Sequence, residues 1–159
     1  MPINWKLYRA VCLLQIVLTT IVLFHSLLYF FESPGFGTIS RLIVFLLSLL
    51  LATFTLHLIN NNYPDNPVAG RQKKTFNRLF LLNFMALAFL FGFIFAEVQL
   101  ISSALALTTL PAYRLPFLFL APVVSYSMIL LLQLVILYGL YDLRRQLDMN
   151  FRKKKFDFE

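Results

Sequence analysis

Four stretches of about twenty apolar residues, each without Asp, Glu, Lys or Arg through its middle, set the limits on what this chain can become. They run from Ala10 to Phe31, Ile39 to Ile59, Phe76 to about Glu97, and Phe117 to Tyr141. A helix needs roughly 20 apolar residues to cross a hydrocarbon core of about 30 Å. The rest of the chain confirms lipid as the solvent. Of 159 residues, 60% are hydrophobic and 13% charged, against about 45–50% and about 25% in a soluble domain. A chain this size leaves about 30% of its surface in water when folded, too much for that composition. A soluble enzyme, a secreted disulfide scaffold and a disordered tail are excluded.

The sequence therefore predicts an all-α integral membrane protein: a four-helix transmembrane bundle, N-in/C-in, with short loops, as one transmembrane domain over residues 1–159. The segment 142–159 reads as a cytoplasmic basic helical tail. Lys6 and Arg9 ahead of the first stretch imitate a secretory signal. The stretch exceeds the usual h-region of about 7–15 residues and shows no small-x-small cleavage pattern, so it reads as a retained anchor. The run Glu32-Ser33-Pro34-Gly35-Phe36-Gly37-Thr38 is a tight turn. Asn60 to Thr75 is polar and turn-rich. Gln99 to Leu115 is too apolar for a free loop and too polar to span, and is read as an interfacial segment. Pro122 falls in the first turns of the fourth helix, where a missing donor does least harm.

Orientation follows from the basic residues, which outnumber acidic ones 14 to 7 and leave a net charge of +7. Lys6 and Arg9 precede the first helix, and Arg71, Lys73, Lys74 and Arg78 flank the second link. Arg144, Arg145, Arg152, Lys153, Lys154 and Lys155 follow the fourth helix. Those are 12 of the 14, leaving Arg41 and Arg114 on the other side. The positive-inside rule puts both termini in the cytoplasm, and a bacterial inner membrane fits that topology. Trp5, Tyr8, Tyr138 and Tyr141 fall at the inner boundary, Tyr29 and Tyr113 at the outer.

Depth, read at about 1.5 Å per residue, gathers polar residues into two layers. Gln15, Thr53, Asn83 and Gln133 fall within roughly 8–12 Å of the inner boundary. His25 with Ser26, Ser48, and Ser125-Tyr126-Ser127 fall in the outer half. Each layer has two readings: a polar binding site, or interhelical hydrogen bonding, which is the commoner use of such residues at about 0.6 kcal/mol per bond. His25 stands out as an ionisable group inside hydrocarbon, a functional candidate on cost alone. Bis-His haem ligation is unfavourable, because His25 and His57 lie at different depths. Glu97 ends the third apolar stretch beside Arg41 and Arg114, so an outer-face ion pair is available.

Chemistry-bearing motifs are missing. HExxH, GxSxG and the P-loop are absent, and no carboxylate lies mid-span as in ion-coupled transporters. The lone Cys12 rules out an internal disulfide or a CxxC pair. No catalytic, cofactor-binding or metal residue is assigned, and no nucleic-acid partner. Asp65 between Pro64 and Pro67 reads as a turn residue.

Two surfaces remain. Ala88, Gly92 and Ala96 repeat at four-residue spacing among phenylalanines, a small-xxx-small face for close helix packing. It serves either the bundle itself, the commoner case, or a partner helix. Leu140, Leu143, Leu147 and Phe151 form an apolar stripe that carries the fourth helix beyond the membrane. Beside it, Arg144, Arg145, Arg152, Lys153, Lys154 and Lys155 form a basic cluster suited to an anionic cytoplasmic leaflet or a partner, or to anchoring topology.

The leading functional expectation is a non-catalytic accessory, scaffold or assembly subunit of a membrane complex, bound to a membrane-protein partner or to its own copies. The alternative is a small transporter or permeation protein for a lipid-like or uncharged solute, working through His25, Ser48 and Tyr126. A lipid-modifying enzyme built on His57, Asn60 and Asp65 ranks last, since that trio lacks a nucleophile and a metal constellation.

Overall fold

The computed structural model describes residues 4–62, 70–107 and 117–156. Four helices follow in order: α1 (Trp5–Glu32), α2 (Phe36–Asn62), α3 (Gly70–Leu107) and α4 (Phe117–Phe156). There is no strand among the described residues. All four helices are long and apolar enough to cross a membrane, over Trp5–Glu32, Phe36–Asn62, Arg71–Ser103 and Leu120–Leu147. The protein is a four-helix integral membrane protein.

Local chemistry sets the helix ends. Asn4 caps α1, its side-chain oxygen accepting from the Lys6 and Leu7 amides at 3.1 and 3.4 Å. That cap satisfies donors that have no partner in the first turn, and it starts α1 five residues earlier than the apolar pattern alone indicates. At the other end the Ser33 amide donates to the Tyr29 carbonyl at 2.9 Å. Thr38 then closes the start of α2: its hydroxyl accepts from the Gly35 amide at 2.9 Å and donates to the Gly35 carbonyl at 2.8 Å. The tight turn expected at residues 32–38 is therefore only three residues of non-helical backbone.

Two expectations need correction. Gln99 to Leu107 is not a separate interfacial segment, because α3 continues unbroken to Leu107. Glu97 consequently does not end a helix. With 38 and 40 residues, α3 and α4 are about 57 and 60 Å long, well beyond the hydrocarbon thickness. Residues 108–116, with Tyr113 and Arg114, and residues 63–69, with Asp65, lie outside the described residues. α4 runs through Pro122 without a break.

Each helix packs on its sequence neighbours, and α1 also closes against α4. α2 and α4 meet across the centre as well, so these two form the inner diagonal. One end of the bundle holds the start of α1, the end of α2 and the start of α3, here the terminal end. The other holds the α1–α2 turn, here the turn end. Two apolar clusters fill the interior. The terminal-end cluster joins Tyr8, Cys12, Leu51, Ile59, Phe76 and Ile136. The turn-end cluster joins Val22, Phe45, Ala86, Leu90, Tyr126 and Ile129. The outside is covered by leucine, phenylalanine and valine, as a surface in contact with lipid requires.

The α4 extension behaves as its spacing predicts, and it serves the bundle. Leu140, Leu143 and Leu147 are fully buried in the terminal-end cluster with Phe76. At the same end the Asn62 and Gln72 amides exchange two hydrogen bonds of 3.4 Å, tying α2 to α3.

Candidate functional site

The central polar feature is a chain of hydrogen bonds through three helices. The Ser48 hydroxyl on α2 donates to Gln133 Oε1 on α4 at 2.6 Å. It also lies 3.0 Å from the Val44 carbonyl of its own helix. Gln133 Nε2 donates to Asn83 Oδ1 at 3.1 Å and to the Asn83 carbonyl at 3.2 Å on α3. Asn83 Nδ2 closes the chain on the Leu79 carbonyl at 2.9 Å. All three side chains are buried.

This arrangement redistributes the two polar layers read from depth. Asn83 and Gln133 do meet, but their third member is Ser48, expected with His25 and Tyr126. Thr53, expected in the layer, is exposed and bonds to the Leu49 and Leu50 carbonyls of its own helix. Depth is only half of a helical coordinate. Ser48 and Thr53 are five residues apart, about 140° around α2, so they cannot share a face. Gln15 points inward too, yet it joins nothing.

Gln15 and Thr19 are the anomaly of the interior. They stand one turn apart on α1, and their exposures are 1% and 0%. Gln15 Nε2 and Oε1 and Thr19 Oγ have no hydrogen-bond partner. A buried polar group left unpaired costs about 1–3 kcal/mol. Replacement by apolar side chains of similar shape, Gln15→Met and Thr19→Val, is therefore expected to raise the midpoint of thermal unfolding in detergent. A fall in the midpoint would show that both groups are partnered in the membrane.

At the turn end a second polar cluster opens to the surroundings. Arg41 Nη2 lies 2.8 Å from Glu97 Oε1, with the two side chains 26% and 15% exposed. The Arg41 guanidinium also lies over the rings of Phe93 and Tyr126, 5.7 and 6.0 Å from their centroids. The ion pair expected at this face is thus formed between α2 and α3, with both side chains partly enclosed. A cavity of about 230 Å³ lies against it, with His25, Ser26 and Tyr29 of α1 on its wall. His25 itself is exposed on the outside of the bundle.

The terminal end carries a contact that sequence reading missed. Tyr8, expected among the boundary aromatics with the outward Tyr138 and Tyr141, is only 3% exposed. Its hydroxyl donates to the Ile136 carbonyl of α4 at 2.6 Å. Its ring lies where a Cβ on Gly139 would stand. The signal was the single glycine of the α4 span, since a lone Gly in a membrane helix marks close approach. Arg144 is likewise engaged in the bundle: it donates to Asn77 Oδ1 at 2.7 Å and its guanidinium lies 4.7 Å from the Phe76 ring centroid. That removes it from the free basic cluster. Arg145 is exposed. Arg152, Lys153, Lys154 and Lys155 lie on the last turns of α4, where side chains fall outside the described part.

The Ala88, Gly92 and Ala96 stripe is not an internal packing face. All three residues are exposed, and a Cβ built on Gly92 would meet nothing within 4 Å. α3 buries Asn83, Ala86 and Leu90, and at about 100° per residue the stripe falls on the opposite side.

For the remaining candidates, His57 is exposed and lies 3.0 Å from Asn61 Nδ2, and Asn60 is exposed. Among the described residues no three His, Cys, Asp or Glu side chains come together as a metal site would need. The chain matches no protein-family model, no curated protein and no solved structure.

Proposed function

We propose that this integral membrane protein is a non-catalytic subunit of a membrane complex, which docks a transmembrane helix of its partner on the Ala88/Gly92/Ala96 face of α3. One observation carries the reading: the small-residue stripe lies on the outside of α3, with open space over Gly92. α3 is also the least enclosed of the four spans. Helices associate in lipid by packing where small side chains let backbones approach, since burial of apolar surface from water no longer drives them together. The partner helix comes from another membrane protein or from a second copy of the chain.

The basic residues orient the assembly. With Lys6, Arg9, Arg71 and Arg145 at the terminal end, both termini face the cytoplasm, and a bacterial inner membrane suits that layout. Arg145 with the run Arg152 to Lys155 then meets the anionic leaflet, where each basic residue contributes about 1 kcal/mol. The permeation alternative has less support. Its three residues are not one site, because Ser48 is bonded to Gln133 and lies apart from the cavity that His25 and Tyr126 line.

The test is gentle extraction at native expression followed by native mass spectrometry. The wild-type chain is expected with a stoichiometric partner or as an oligomer. Gly92→Leu is expected to abolish that association with the unfolding midpoint unchanged, because the new side chain enters open space. Association that survives Gly92→Leu counts against this face.

A further inference from the structure

We propose that the turn end of the bundle holds a binding site for one zwitterionic phospholipid, with the headgroup against the Arg41–Glu97 pair and an acyl chain in the crevice between α1 and α4. The inference goes beyond the partner-docking reading and does not rest on it.

The site has two joined parts of opposite character. The first is the cavity of about 230 Å³ beside Arg41 and Glu97. The second, also about 230 Å³, runs between Ile21 and Val22 of α1 and Ala121 and Ser125 of α4. His25, Pro122 and Tyr126 line both, so the two are continuous. Either part alone is smaller than the roughly 300–1,000 Å³ of a small-molecule site, and the two together reach that range. From Tyr29 back to Ile21 the crevice follows α1 for about 12 Å, from the membrane boundary towards its middle. That is the direction of a lipid chain hanging from a boundary headgroup.

Two polar groups in the first part, Ser26 and His25, are free to meet a ligand. Ser26 is only 5% exposed, lines the cavity and has no hydrogen-bond partner among the described residues. His25 likewise has none and stands at the junction of the two parts. A hydroxyl and an imidazole N–H in this position are donors for phosphate oxygens, and Tyr29 and Tyr126 lie on the same wall.

Charge selects the headgroup. Arg41 and Glu97 are already paired, so the pair offers a dipole and no net charge. Arg41 retains N–H donors beyond the one facing Glu97, and Glu97 retains its second oxygen. A headgroup with phosphate and ammonium lays each charge against its opposite. A purely anionic headgroup would set its charge beside Glu97, and a headless diacylglycerol would leave the Ser26 hydroxyl unmet.

The experiment presents the full-length protein in detergent with equal amounts of phosphatidylethanolamine, phosphatidylglycerol and diacylglycerol, and reads retained lipid by native mass spectrometry. One phosphatidylethanolamine per chain is expected to be retained in preference to the others. Glu97→Gln should cut its preference over phosphatidylglycerol about tenfold, and His25→Ala should lower its retention severalfold. His25 is exposed and unbonded, so that variant keeps the fold, checked by an unchanged unfolding midpoint. Equal retention of all three lipids, preference for phosphatidylglycerol, or no response to either variant would overturn the proposal. Displacement of the lipid by equimolar free phosphoethanolamine would also overturn it, since the crevice would then contribute nothing.

Discussion

Gly139→Ala should unfold this bundle more readily than any other single-methyl addition in its membrane spans. The Tyr8 ring sits where the new Cβ would stand, and three of its carbons fall inside contact distance. A flexible chain end would swing away at small cost. A phenol ring has no such freedom, and this one is held at its far end by the hydrogen bond from its hydroxyl to the Ile136 carbonyl. On one side Trp5 meets it edge-on at 5.7 Å between centroids. The added methyl must therefore push α1 from α4 or expel the ring, breaking the hydrogen bond and opening a void. Overpacking of this kind costs about 1–3 kcal/mol and at times more, and expulsion would add to it. The check is a cycle of variants followed by thermal unfolding in detergent. Tyr8→Phe removes only the hydroxyl, so Gly139→Ala should remain just as damaging on that background. Tyr8→Leu removes the ring plane, and there Gly139→Ala should lose most of its effect, a coupling of the size seen for residues in contact. Equal damage on all three backgrounds would mean that the ring is not what excludes the methyl.

The pair Tyr8–Gly139 also shows where sequence reading stops. Runs of apolar residues reveal the number of spans, because lipid permits so few alternatives for a backbone that must satisfy its own hydrogen bonds. Leu140, Leu143 and Leu147 carried enough periodicity to extend α4 correctly past Tyr141. Amphipathic patterning fails elsewhere, since a helix in lipid is apolar on every side and its inward face leaves little trace. Gln15 and Gln133 look alike in sequence, yet Gln133 is bonded across helices and Gln15 has no partner. Depth was legible and rotation about each helix axis was not. That is why Thr53 was grouped with Asn83 and Gln133 although it faces outward, and why the Ala88/Gly92/Ala96 stripe was expected inside. The Arg41–Glu97 pair was legible because two opposite charges near one boundary have few other ways to be neutralised. The unbonded Ser26 beside it was not, because a serine in an apolar helix ordinarily bonds back to its own backbone, as Thr20 and Thr55 do here.

Gln133→Ala should be the most damaging of the substitutions in the central polar chain, and the order of effects tests how that chain is built. Gln133 is its node: one amide accepts from Ser48 on α2 and donates twice to Asn83 on α3. Truncation loses the links of α4 to both helices and leaves a void in a site that is 0% exposed. Interhelical bonds in membranes average about 0.6 kcal/mol and reach about 1.7, while large-to-small core changes cost about 2–5 kcal/mol. The void is thus the larger contribution, and about 3 kcal/mol in total is expected. Ser48→Ala should cost under about 1 kcal/mol, since it loses one interhelical bond and almost no volume. Asn83→Ala should fall between them, because it removes one of the two oxygens that receive Gln133 and spares the other, a backbone carbonyl. Gln133→Leu separates the contributions. It restores most of the volume without the amide, so it should recover the larger part of the loss and leave a deficit of the size of the hydrogen bonds. Reversible unfolding in mixed micelles gives each value. If Gln133→Leu is as unstable as Gln133→Ala, the polar chain outweighs packing at this level of the bundle. If Ser48→Ala matches Gln133→Ala, the α2–α4 link alone holds the inner diagonal together.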